Sequence, residues 1–138
     1  MKTKQSITIL TYGFILFSSL SLLSVSMMAF FNPQSVMDLV STKLTNTDAF
    51  SSIRGVYGGV GLTIVLCLLF LLRNNTQYAL GFLTLLWGLY AVSRIITIFA
   101  EGALGAFGTQ WLIIESVLCI LAFMLFNANR KLQAKTAA

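Results

Sequence analysis

Four apolar stretches fill most of the chain, at residues 6–31, 50–72, 78–100 and 110–127. Each is at least about 18 residues long, the length of α-helix that crosses the ~30 Å hydrocarbon core of a bilayer. Lipid offers no partner for bare backbone N–H and C=O groups, so stretches of this kind must close their hydrogen bonds internally as helices. The expected fold is therefore all-α: a polytopic membrane protein, one domain over residues 1–138, built as a bundle of four transmembrane helices. With 57% hydrophobic and 9% charged residues, too little polar surface remains to coat a soluble core of this size.

The breaks fall where turn residues fall. Asn32-Pro33 ends the first stretch, Arg73-Asn74-Asn75 makes a polar turn after the second, and Glu101-Gly102 with Gly105 and Gly108 loosens the chain before the fourth. In the longer connection, residues 32–49, Asn32 stands as an N-cap and Pro33 at the first helical position, with Val36, Leu39, Val40 and Leu44 at helical spacing. This predicts a short amphipathic helix lying along the membrane surface between helices 1 and 2.

The formal charge of +5 does not gather into a nucleic-acid-binding patch. Lys2, Lys4, Arg73, Arg130, Lys131 and Lys135 lie at the N-terminus, the Arg73 turn and the C-terminus, whereas the other two connections hold only Lys43. Cations concentrate on cytoplasmic loops, so both termini are expected in the cytoplasm, with the protein in a bacterial inner membrane. The first apolar stretch is longer than a signal-peptide core and no A-x-A site follows it, so it reads as a span. The basic tail reads as a solvated cytoplasmic end.

Two cysteines, Cys67 and Cys119, lie in apolar runs at depths that differ by about 13 Å along the helix axes, too far for a disulfide. Neither has a cysteine or histidine at metal-ligand spacing, and the chain has no histidine at all. They read as packing residues, and no metal or cofactor is expected.

Four charges stand out inside or at the edge of the spans: Arg54, Arg94, Glu101 and Glu115. With alternating helix direction, all four fall within about 9 Å of one boundary. Unpaired charge in hydrocarbon costs about 2.5 to 3.5 kcal/mol at the bilayer centre on insertion scales, so pairing across helices is expected. Tyr57 follows Arg54 by three, Tyr90 precedes Arg94 by four, and Trp111 precedes Glu115 by four, each within helical reach. Arg94 and Glu101, seven apart, share a face. Gly55 and Gly59 form a GxxxG, widened by Gly58 and Gly61, which would let a neighbouring helix approach until Arg54 reaches Glu115 or Glu101. The competing reading has the arginines reach outward to headgroups within an interfacial aromatic belt. Trp87 and Tyr90, deeper in the third stretch, line an internal cavity or simply pack beside Gly88.

The run Arg54, Gly55, Tyr57, Gly58, Gly59 resembles a motif early in the second helix of a family of small bacterial four-span membrane proteins with no assigned function. The likeness extends over nearly the whole chain in span layout, Pro33 included. In size and layout the chain is also similar to the DoxX-like four-helix proteins. Neither resemblance supplies a substrate, cofactor or catalytic residue.

Three roles compete. Arg54 and Arg94 beside Tyr57, Tyr90 and Trp111 suit a membrane module that binds a lipid, quinone or other amphiphile at an outer charged layer. The glycine surfaces suit a structural subunit or assembly factor that contacts other membrane subunits, the charges then fixing helix register. A small transporter is the third, although proton coupling wants an acid open to both sides and the inner half of the membrane has none. Without histidine or an activated cysteine only a glutamate could serve as a base, so catalysis is the weaker expectation.

Overall fold

The structure is a computed structural model that describes residues 2–137, with side chains described for residues 4–134; Lys2 and Lys135, counted above as topology signals, have side chains outside that range. The secondary structure is helical: α1 (Lys2–Phe31), α2 (Pro33–Asp38), α3 (Thr47–Ile53), a π-helix (Arg54–Val60), α4 (Gly61–Asn74), α5 (Thr76–Ala100) and α6 (Ala106–Ala137). Among the described residues four helical segments are long and apolar enough to cross a membrane: Lys4–Phe31, Thr47–Asn74, Thr76–Ala100 and Ala106–Ala134. The all-α class and the short helix after the first span follow the expectation.

The helix ends differ from the expected ones for local reasons. The second span begins at Thr47 because Asn46 caps it, its Oδ1 accepting from Ala49 N at 2.8 Å, with Asp48 in the first turn. Asn75 does the same for α5, accepting from Gln77 N and Tyr78 N. The fourth span begins at Ala106, and Gly108 lies inside the helix, where a Cβ would meet Leu104 at 3.2 Å. Gly102 turns the chain at φ +108°.

Helix α2 is shorter than the periodicity implied. Val36 and Met37 are buried with Ala29, and Leu44 and Ile53 pack on that cluster, but Leu39 and Val40 are exposed. The helix ends because the chain turns at Ser41, which takes a positive φ of 55°. Gln34 then holds the turn: its Nε2 donates to Asp38 Oδ1 (2.7 Å) and Thr42 O (2.9 Å), and its Oε1 accepts from Leu44 N (2.9 Å).

Two compact units divide the chain. One comprises Met1–Ile15 and Asn74–Ala138, the other Leu16–Arg73. In the first, α5 and α6 form an antiparallel hairpin, and a buried bond ties α6 to the N-terminal part of α1: Asn129 Nδ2 donates to Thr11 Oγ1 at 2.6 Å. Gly81 lies against the Phe126 ring and Gly88 against Cys119 Sγ, where a Cβ would stand 3.4 and 3.3 Å away. Cys119 Sγ also donates to the Thr84 carbonyl (3.4 Å) and Gln77 Nε2 to the Phe126 carbonyl (3.1 Å), so Cys119 is a packing residue as expected. In the second unit the C-terminal part of α1 packs against the π-helix and α4 through Ser26 and Phe30.

Candidate functional site

Arg94 and Glu115 meet across the α5–α6 hairpin. Arg94 Nε donates to Glu115 Oε2 at 2.6 Å and Nη2 to Oε1 at 2.8 Å, so the guanidinium fork takes both carboxylate oxygens. Glu115 is 3% exposed and the Arg94 side chain 22%. A fork-on-fork pair is the arrangement in which both charges compensate their lost hydration with directional hydrogen bonds as well as Coulomb attraction. Of the partners expected for these charges, Arg94 takes Glu115. Glu101, seven residues along the same helix, stands exposed as the C-cap of α5, where its N–H donates to Thr97 O.

Arg54 takes a different kind of partner. Its Nε donates to the carbonyl oxygen of Phe30 at 3.1 Å. Phe30 is among the last four residues of α1, whose carbonyls have no N–H further along the same helix to bond, and a cation beside a helix C-terminus also meets the negative end of the helix dipole. The guanidinium therefore caps α1. It is otherwise exposed, with no further hydrogen bond or ion pair among the described residues.

The motif that carries Arg54 is itself irregular, for Arg54–Val60 is one continuous π-helix. Such segments are rare and concentrate at functional positions. Its glycines divide sharply. A Cβ at Gly58 would lie 3.0–3.1 Å from the Phe30 ring, and one at Gly61 would collide with Ser26 Oγ, whereas Gly55 has nothing within 4 Å and Gly59 only the Arg54 carbonyl at 4.0 Å. The close approach is thus made by Gly58 and Gly61 against α1, and the Gly55/Gly59 pair that reads as GxxxG makes no close side-chain contact.

The aromatic residues also separate. Tyr57 is 39% and Tyr90 40% exposed, while Trp87 is 4% exposed and lies 6.2 Å from the Tyr90 ring, tilted at 39°. Trp111 is half-buried beside Phe107, centroids 6.1 Å apart. Phe30 and Ser26 escaped the sequence reading because neither acts through charge. One offers a backbone oxygen freed by a helix end and a ring that fits over a missing side chain. The other is a serine one turn earlier. The signal available was Asn32-Pro33, which fixes where α1 stops.

Four long apolar helices, with an ion pair enclosed between two of them, are the construction of a multi-pass membrane protein. The chain belongs to the DUF4345 family, a domain of unknown function, whose family model matches residues 10–126. No curated protein and no solved structure matches it.

Proposed function

We propose that this membrane protein binds the anionic headgroup of an amphiphile, a phosphate-bearing lipid foremost, at the Arg54 corner. The observation that carries this reading is the half-used guanidinium: Nε is held by Phe30 O, which orients the group, and the rest of it has no partner among the described residues, in a span of high hydropathy. Arg73 follows 19 positions later, about 28 Å of helix at ~1.5 Å per residue, so the two arginines stand about one hydrocarbon thickness apart. Arg54 thereby falls at the depth of lipid phosphates, with Tyr57 beside it at a level where amphipathic rings settle. Lipid phosphate suits Arg because two parallel N–H groups can address two oxygens.

In this reading the protein sits in a bacterial inner membrane with both termini cytoplasmic, supported by the cations at the chain ends and the Arg73 turn. The Arg54 corner then belongs to the outer leaflet. Native mass spectrometry of protein released from bilayers of mixed phosphatidylglycerol and phosphatidylcholine tests the proposal. Wild type is expected to retain phosphatidylglycerol preferentially and Arg54→Gln to lose that preference; equal retention by both would overturn it. Labelling of single cysteines placed at Lys43 and at Arg130 tests the orientation, with only the Lys43 position expected to react from outside.

A structural-subunit role draws on a separate observation: a Cβ at Gly55 would meet nothing within 4 Å among the described residues, and Val56 and Val60 beside it are 60% and 54% exposed, a small-residue face that another helix could cover. The transporter reading finds no support at Glu115, since both its oxygens accept from Arg94.

A further inference from the structure

Trp87 lies near the middle of α5, 11 positions after Thr76 and 13 before Ala100, about 17 and 20 Å from the two ends at ~1.5 Å per residue. It is 4% exposed, and its indole Nε1, itself buried, has no hydrogen-bond partner among the described residues. An unsatisfied buried N–H costs about 1–3 kcal/mol, and the middle of a bilayer supplies no water to relieve it.

Its own helix places no acceptor within hydrogen-bonding distance of Nε1, and the hydroxyls nearest in sequence turn back to their own backbone. Thr84 Oγ1 donates to Leu80 O at 2.8 Å and Ser93 Oγ to Tyr90 O at 2.7 Å. The buried residues around Trp87 on α5 are apolar, namely Leu80, Leu83 and Ala91. A water moved there would exchange its bulk hydrogen bonds for a largely apolar surround. An acceptor that arrives with its own apolar surface has no such difficulty.

We infer that Trp87 Nε1 is the donor of a site for a bilayer-soluble conjugated carbonyl compound, of the quinone class, whose carbonyl oxygen accepts the indole N–H. Depth selects this chemistry, since ester carbonyls and phosphates of lipids lie near the interfaces and a quinone ring travels within the hydrocarbon. The Tyr90 ring, 6.2 Å from the indole and 40% exposed, provides an aromatic face for a flat ligand. The site uses none of the Arg54 contacts, so it stands or falls separately from phosphate binding.

The test titrates purified wild-type protein in detergent with decylubiquinone, reading saturable binding by native mass spectrometry and the quinone carbonyl stretch by difference infrared spectroscopy. Wild type is expected to bind one quinone with the carbonyl band lowered in frequency. Trp87→Phe keeps an aromatic ring but removes the donor, and should bind about tenfold more weakly, one neutral hydrogen bond's worth, with the band unshifted. Phe99→Leu, at the 87% exposed end of α5, controls for general effects of losing an aromatic ring and should behave as wild type. Absence of saturable binding to wild type, or equal affinity and equal band position in Trp87→Phe, would overturn the inference.

Discussion

Arg94 and Arg54 are both arginines within apolar spans, and they satisfy their charge in opposite ways. Arg94 spends Nε and Nη2 on the buried carboxylate of Glu115 in the neighbouring helix, while Arg54 spends Nε on an orphan carbonyl at the end of α1 and keeps the rest of its fork exposed. Surroundings explain the difference. A cation enclosed between helices needs a full counter-charge because nothing else nearby can replace water. A cation beside a helix terminus needs less, since the end of the helix already presents bare oxygens and a negative dipole. The enclosed arginine is therefore a fastener and the terminal one is available for chemistry.

Breaking the enclosed pair should have the largest effect of any single change. Glu115→Ala leaves Arg94 uncompensated between α5 and α6 and should destabilise the folded state by about 3–5 kcal/mol, measured by unfolding in mixed micelles titrated with dodecyl sulfate. The double variant Arg94→Met with Glu115→Leu should recover most of that loss, because well-packed apolar residues replace a buried pair at little cost. If the double variant is as unstable as the single, the pair is not merely fastening the hairpin.

The second unit can be broken at its glycines. In Gly61→Ala the new methyl meets Ser26 Oγ, which must leave the Leu22 carbonyl it now donates to at 2.9 Å; overpacking of this kind costs about 1–3 kcal/mol. Adding Ser26→Ala removes the clashing oxygen and should restore most of the stability, since the Ser26 Cβ stands 3.4 Å from the added carbon, an ordinary contact. Failure of the second change to rescue would place the strain elsewhere in α4.

These contrasts mark how far the linear sequence carries. The spans, their count and the polar breaks follow from length and hydropathy, because a bilayer imposes one dimension on every crossing helix. The pairing of an arginine with a glutamate from another helix also follows, since buried charge has few alternatives. Choosing Glu115 over Glu101 for Arg94 does not: residues 101 and 94 share a helical face, but Glu101 falls at the helix end where solvent competes, and Glu115 stands opposite only once the hairpin register is set by Gly81 on Phe126 and Gly88 on Cys119. The partner of Arg54 was equally hidden, because a backbone carbonyl has no letter in the sequence. The glycine motif misleads for a related reason. Spacing tells which glycines align with one another, while the facing side chains, Phe30 and Ser26, determine which of them are needed.

Arg54→Gln sharpens the comparison at the terminal arginine. The amide can still donate to Phe30 O, but the charge facing the end of α1 is gone, so stability should fall by only about 0.5–1 kcal/mol. Thermal unfolding in neutral detergent checks this, and a loss as large as that of Glu115→Ala would mean that Arg54 is a fastener too. The same variant carries the phosphate test, and a small stability change is what allows its lipid binding to be interpreted.

Gly55→Ala should have the smallest effect, and its sign carries the information. Nothing stands within 4 Å of the added methyl, so in the isolated protein the change costs no contact and should stabilise by up to about 0.5–1 kcal/mol, the gain of alanine over glycine in a helix interior. Gly58→Ala, three residues along the chain, drives a methyl into the Phe30 ring at 3.0 Å and should destabilise. The contrast is sharpest in a membrane extract. A partner helix seated on Gly55, Val56 and Val60 requires the missing side chain, so Gly55→Ala would then weaken subunit co-purification while leaving the purified chain as stable as before. If Gly55→Ala instead destabilises the purified protein itself, the face at Gly55 is not open, and the division between needed and unneeded glycines fails at its clearest point.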